Sequence, residues 1–316
     1  MAIGFVAVTQ FLGGSVANSQ TVGYADAIER LAISCGKDIE KLCNKEPLGG
    51  GRIKQCLEQN RARVTPSCTA AIGQLTELLQ KRASARAAIP RVCERDRLRL
   101  CNGIEAGDGN LMECFYKVKS NVSAACRQAV ADAGYEVALG SSASSGSINL
   151  SAGDLVNSLQ GVADAAHAVN AAQLRALANQ SLHDPARADR VNRPPLFEHL
   201  NDQAQITIAI EFDFDSARIR PDSFRAVGLM ADALNHPYLQ GYRFVIIGHT
   251  DAKGSREYNL KLSQARANAV RDALINPFAI SPSRIEAVGL GEEQLLNRSN
   301  PDAAENRRVQ LINIGK

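Results

Sequence analysis

An aspartate and an arginine carry the clearest chemical signal in the chain: Asp251 and Arg266, within the stretch Phe244 to Val270, FVIIGHTDAKGSREYNLKLSQARANAV. Asp251 stands in a strand-to-helix turn beside Gly254, and Arg266 follows on the helix. At about 100° per residue, Arg266 falls between Leu262 and Val270, inside the apolar arc. Desolvating a lone guanidinium costs several kcal/mol, so it needs a partner. Two partners satisfy that need, a structural carboxylate of the protein or a carboxylate of a ligand. On the second reading the pair suits a zwitterion, with Asp251 taking an ammonium and Arg266 gripping a carboxylate through its planar fork.

The elements that must position this pair are a strand, a turn and a helix. Tyr242 to Gly248 is apolar, β-branched and bounded by glycines, as a buried strand is. From Ser255, an N-cap residue, the period turns helical, with Tyr258, Leu262, Ala265, Ala269 and Ala273 on one face. Around them the sequence gives a first strand at Ala204 to Phe212, a helix at Pro221 to Asn235 and a second strand at Tyr242 to His249. The helix Ser255 to Ile275 and strands at Arg284 to Val288 and Arg308 to Ile314 complete a β-α-β-α-β-β order. This is an α+β domain, with helices on one side of a mixed sheet.

The string GHTDAKGSREYNLKLSQARANAV, followed by RIEAVGLGEEQ and AENRRVQL and preceded by IEFDFDSARIRPDS, resembles the OmpA-like C-terminal domain, the peptidoglycan-binding module of Gram-negative envelope proteins. The likeness covers residues 204–316, roughly a third of the chain. It implies that Asp251 and Arg266 hold the diaminopimelate of the peptidoglycan stem peptide, with Phe214 and Asp215 as second-tier contacts lining the pocket. Asp213 and Asp215 serve equally well as turn formers. Asn259 matches the family's YN pair and is carried as second tier, with a local hydrogen-bonding role as its first reading. Arg307 and Arg308 alternate across a strand, so at most one faces the ligand, and solvated charges are their default reading.

The N-terminal part has another character. All eight cysteines lie between Cys35 and Cys126. Cys35, Cys43, Cys56 and Cys68 are separated by 8, 13 and 12 positions, and Cys93, Cys101, Cys114 and Cys126 repeat those intervals 58 residues later. Asp38, Leu42, Asn44, Gly51 and Val64 recur at the same offset as Asp96, Leu100, Asn102, Gly109 and Val122, which marks a duplicated unit. Each unit reads as two helical segments around a Gly-rich loop. An antiparallel hairpin of that kind nests the bonds as Cys35 to Cys68, Cys43 to Cys56, Cys93 to Cys126 and Cys101 to Cys114. No interval approaches the two-to-four spacing of a structural zinc pair, so the expectation is disulfides, no metal and an oxidising compartment. The pattern also resembles cysteine-rich repeats found in tandem in Golgi glycoproteins and some bacterial envelope proteins.

The domain reading is therefore a candidate signal peptide at 1–22, two disulfide-stapled all-α hairpins at 23–137, a linker and helical connector at 138–203, and the OmpA-like domain at 204–316. Ala2 to Val16 is moderately apolar but lacks a basic start, and Gln10 with Gly13-Gly14 interrupts a run too short for the ~20 residues a bilayer needs. Leu31 stands one position too far from Cys35 for a lipobox. Leu139 to Ser147 is small and polar, whereas the Ala- and Leu-rich segment from Ser151 suggests one or two helices, either a spacer or a cover for the domain or a partner. A formal charge of +3 does not call for nucleic acid. Ten-residue alternating strands ahead of the C-terminal domain are missing, so no barrel is expected. His249 and Asp251 resemble an acid/base pair only superficially, since no nucleophile or metal motif accompanies them. The sequence thus predicts a non-catalytic, cofactor-free protein of the Gram-negative periplasm or outer-membrane surface. Its predicted partner is peptidoglycan, with an envelope protein as a second partner for the repeats or the connector.

Overall fold

The computed structural model describes residues 22–104, 109–135, 151–160, 170–187, 189 and 193–316. Except for Val22, the candidate signal peptide lies outside the described residues, as does the polar linker Leu139 to Ser147.

The cysteine spacing becomes two turns of one design. Helix α1 (Tyr24–Leu42) ends at Cys43, and three glycines of positive φ, Gly49 to Gly51, lead into α2 (Arg52–Gln59). Helix α3 (Pro66–Val92) closes the first unit with Cys68 in its opening turn and starts the second at its C-cap, Cys93. The second unit continues with α4 (Glu94–Leu100), α5 (Asn110–Lys117) and α6 (Ala124–Asp132). Four disulfides join Cys35 to Cys68, Cys43 to Cys56, Cys93 to Cys126 and Cys101 to Cys114, the nested pairing a hairpin requires. The shared aspartates have a shared task. Asp38 accepts from the hydroxyl and N–H of Thr65 at 2.7 and 3.0 Å, and Asp96 accepts from the N–H of Ser123 at 3.2 Å and from its hydroxyl. Thr65 and Ser123 are the N-caps of α3 and α6, so one buried carboxylate fixes the entry of the closing helix in each unit.

The connector supplies α7 (Ala152–Leu159), opened by a Ser151/Asp154 capping box, and α8 (Ala171–Ser181), capped by Asn170. The C-terminal domain then runs β1 (Gln205–Ile208), α9 (Phe224–Leu234), β2 (Phe244–His249), α10 (Arg256–Phe278), β3 (Ile285–Gly291) and β4 (Val309–Asn313). The sheet order is β1-β4-β2-β3, with β2 and β3 parallel and the other two pairs antiparallel. The first strand is shorter than the sequence suggests. Beyond Ile208 the chain leaves the sheet and folds back on itself, Phe212 bridging Ile219. Pro221–Ser223 forms a 3-10 turn ahead of α9 rather than its first turn.

Helices do not lie on one side only. Phe244, Ile246, Ala287 and Leu311 meet α9 and α10, while Val245, Ile247, Val288 and Ile312 are covered from the other face by Ala171, Leu174 and Ala178 of α8. The connector is thus part of the packed body. The buried face of α10 is also rotated from the expected one: Asn259, Ser263, Ala267, Val270 and Leu274 face inward, while of the expected residues Ala273 is buried, Leu262 and Ala269 are half-buried, and Tyr258 and Ala265 are exposed. Gly248 and Gly289 are the cause. A Cβ on either would lie 2.4 Å from the Ser263 carbonyl oxygen or 2.2 Å from the Gln264 nitrogen, so the helix backbone rests directly on the strands at these glycines.

The repeats are docked, not strung out. One apolar core runs from Tyr24, Ile28 and Ile39 of the first repeat to Phe224, Met230 and Phe278 of the C-terminal domain. Gly228 lets α9 approach α1, since a Cβ there would come within 2.5 Å of the Ala25 Cα. Asp232 of α9 accepts from the N–H groups of Tyr24 and Ala25 at 2.8 and 2.9 Å, capping α1 from another part of the chain. Burial pushes the Asp232 carboxyl up to about 6. Arg225 adds ion pairs with Asp26 and Glu29 at 2.9 and 2.8 Å. The second repeat meets the residues just past α9, where the Tyr116 ring sits 4.9 Å from His236 and 4.8 Å from Tyr238. Burial, aided by the Lys119 ammonium, pushes His236 down to about 4.

Candidate functional site

The site is built at the C-terminal end of β2. The strand delivers His249, Thr250 and Asp251 in succession, and the turn is held by Thr250 N–H donating to Gly291 and Ala252 N–H donating to Pro301, at 2.9 and 3.0 Å. The Asp251 carboxylate accepts from Lys253 N–H at 3.2 Å, closing an Asx turn. Gly254, at φ +95°, reverses the chain, and the Ser255 hydroxyl accepts from Tyr258 N–H at 3.2 Å, the N-cap read from the sequence.

Arg266 lies half-buried nearly three turns along α10. Its Nε donates to the Ser216 carbonyl at 3.0 Å, and its guanidinium stacks 4.9 Å above the Phe212 ring. Among the described residues no carboxylate reaches ion-pairing distance of it. Burial lowers its pKa first of all, and the Arg307 charge lowers it further, while Tyr258, Asp251 and Asp215 act in the opposite sense. Asp251 does have a partner: Arg307 donates to it at 2.7 Å from a side chain that is 47% exposed. Asp251 and Arg266 therefore share one neighbourhood without pairing with each other. Arg266, Arg307, Phe212, Arg220 and His249 line a cavity of about 380 Å³ open to solvent.

The second-tier residues separate. Phe214 is fully exposed at the tip of its loop. Asp215, at φ +52°, accepts a hydrogen bond from the Tyr258 hydroxyl and so ties that loop to α10. Asn259 is buried, and its amide donates to Glu292 at 2.6 Å, the local hydrogen-bonding role. Asp213 holds Arg218 inside the same loop.

The reading of Arg307 and Arg308 as solvated charges holds for Arg307, which is exposed but also paired, and is corrected for Arg308. Arg307 is the partner of Asp251, and Arg308 is buried, its pKa pushed down to about 10 by desolvation while it donates to Gln294 at 3.0 Å. Just ahead of β4 the two arginines go to different surroundings, Arg307 to the exposed rim beside Asp251 and Arg308 to the interior. Tyr258 and Phe212 escaped sequence reading as site residues. Strict alternation over IEFDF would put Phe212 and Phe214 on one face, and only the fold-back that bridges Phe212 to Ile219 turns one toward α10 and leaves the other exposed. His249 is no acid/base partner for Asp251. It is buried against Gln310, and desolvation with the nearby Arg308 charge holds it neutral, well below the usual imidazole range. Among the described residues no group of three acidic, histidine or cysteine side chains could hold a metal, and no helix is long and apolar enough to cross a membrane.

Comparison with known proteins finds a match to the OmpA family over residues 211–308. Outer membrane porin F of Pseudomonas aeruginosa is 35% identical over 108 residues, 34% of this chain and 30% of that protein. The peptidoglycan-associated lipoprotein of Pseudomonas putida is 38% identical over 102 residues, 32% of this chain and 59% of the relative. That of Pseudomonas aeruginosa is 33% identical over 132 residues, 40% of this chain and 76% of the relative. The chain thus spans less than two thirds of the first two relatives. Among solved structures, the peptidoglycan-associated lipoprotein from Burkholderia pseudomallei is similar at 32% identity, over 40% of this chain and 99% of that one, with a TM-score of 0.29.

Proposed function

This chain belongs to the OmpA family, and from that premise we propose that its C-terminal domain binds peptidoglycan, holding the diaminopimelate of the stem peptide between Asp251 and Arg266. The observation that carries the reading is the state of Arg266. It is half-buried and desolvated, its Nε rests on a backbone carbonyl, and no carboxylate among the described residues neutralises it. A ligand carboxylate supplies the missing charge through paired N–H···O bonds, which are stronger than neutral ones. Asp251 accepts the ligand ammonium, with the exposed Arg307 side chain moving aside to share or release it.

In this reading the wall contact holds the cysteine-rich repeats at a fixed place in the periplasm. Four disulfides suit an oxidising compartment, and the relatives named above are an outer membrane porin and peptidoglycan-associated lipoproteins. The chemistry is recognition without bond-breaking, consistent with a neutral, buried His249.

Co-sedimentation with purified peptidoglycan sacculi tests the proposal. The wild-type chain pellets with the sacculi, and Asp251→Ala and Arg266→Ala each weaken binding by more than about tenfold, at an unchanged melting temperature. A fall in melting temperature that accounts for the lost binding would make Arg266 a structural residue. A wild type that stays in the supernatant would assign the domain to another ligand.

A further inference from the structure

Between the first cysteine-rich repeat and the C-terminal domain lies a cleft of about 630 Å³, inside the range of roughly 300–1,000 Å³ typical of small-molecule sites. Leu31, Leu57, Leu75 and Leu79 form its walls, and Phe224 and Phe278 of the C-terminal domain form its floor. The two phenylalanines are fully buried, whereas Leu75 and Leu79 are half-buried and face the opening. Arg52 and Lys54, at the start of α2, stand at the rim, and no carboxylate lines the cleft. Arg52 pairs with no acid among the described residues, and Lys54 has only an exposed contact with Glu58 at 3.8 Å.

The duplicated unit provides an internal control. At the 58-residue offset Arg52, Lys54 and Leu57 become Asn110, Met112 and Phe115. Met112 is buried where Lys54 is exposed, and Asn110 is uncharged where Arg52 is cationic, so on the same disulfide frame the second copy lacks the cationic pair of the first. An open apolar cleft whose charged lining residues are both cations matches an amphiphile with an anionic head.

We infer that this cleft binds a single aliphatic chain bearing an anionic head group, the chain against the leucines and phenylalanines and the head at Arg52 and Lys54. A free fatty carboxylate and a single-chain phospholipid share that chemistry. The full chain titrated with dansyl-labelled undecanoic acid gives a saturable rise in emission at one site per protein. Displacement by oleate points to the free acid, displacement by lysophosphatidylglycerol to the lipid, and oleyl alcohol displaces at least tenfold less well than either. Leu75→Trp, at a half-buried position, fills the cleft and abolishes the signal. Combining Arg52→Glu with Lys54→Glu, both exposed, weakens the acid about tenfold and leaves the alcohol unchanged. Circular dichroism and retained sedimentation with sacculi confirm that each variant is folded. No saturable signal from the wild type, full probe binding by Leu75→Trp, or displacement by neither anionic lipid overturns the inference.

Discussion

The two cysteine-rich repeats share their covalent frame and differ in nearly everything the frame leaves open. Bond for bond they match: outer bridges of separation 33, inner bridges of separation 13, and an aspartate holding the N-cap of the closing helix. Yet the first inserts α1 against α9 through glycine and carboxylate contacts, while the second meets the residues after α9 with a tyrosine edge. Disulfides and one buried carboxylate set the backbone, so the remaining positions are free to be spent on interfaces.

The largest test of this comparison removes the shared part. Loop-closure entropy assigns each outer bridge about 4 kcal/mol and each inner bridge about 3 kcal/mol. Cys35→Ala with Cys68→Ala therefore costs about as much as Cys93→Ala with Cys126→Ala, measured by urea unfolding. If the frames are equivalent but the interfaces are not, only the first pair of changes also loosens the C-terminal domain in hydrogen exchange, because α1 belongs to its core. Equal protection patterns in the two variants would show that docking does not depend on the frame.

The second test separates the interfaces by pH. Asp232 is held near 6, so the folded protein keeps its proton more tightly than the unfolded chain, and this group adds stability as pH falls from about 6 to about 4. His236 is held near 4, so the unfolded chain takes up the proton first, and this group removes stability as pH falls from about 6.5 to about 4. Each amounts to about 3 kcal/mol across its window and the signs oppose. Urea unfolding of Asp232→Asn should lose stability on acidification relative to wild type, and His236→Gln should gain it. Parallel profiles for the two variants would break the contrast. Arg82 and Asp26 beside Asp232, and Lys119 beside His236, set the background charge at each contact.

The smallest effect returns to the common design. Asp38→Ala and Asp96→Ala each remove a side-chain bond to a helix N-cap and should cost about 1–2 kcal/mol. A large inequality would mean that one repeat relies on its aspartate for something beyond capping. The Arg99 guanidinium lies 2.8 Å from Asp96, whereas Lys41, at the matching position of the first repeat, makes no ion pair with Asp38 among the described residues, so any excess is expected on the second side.

Much of this architecture was legible in the residues. Cysteine intervals and recurring aspartates reveal a duplication because a disulfide frame tolerates little change in spacing. The strand Phe244–His249 is readable because buried central strands are apolar throughout. The proposed site pair drew attention in the sequence as a charge on an apolar arc. What failed were judgements that depend on distant partners. The inward face of α10 is polar at Asn259 and Ser263 because Glu292 and the Gly291 N–H satisfy them, and no helical periodicity contains those partners. The link between Arg307 and Asp251 spans 56 positions, and local alternation cannot see it. The role of α8 was open because an Ala- and Leu-rich helix looks the same as a spacer and as the lid of a sheet.

The carboxylate that caps α1 has a consequence for the order of events during folding. Tyr24 and Asp232 are 208 residues apart. All eight cysteines lie between Cys35 and Cys126, far ahead in the chain of the acid that finishes the first helix. Disulfide formation in the repeats therefore does not wait for that acid, and a contact of such high sequence separation closes at the rate set by long-range search rather than by helix formation.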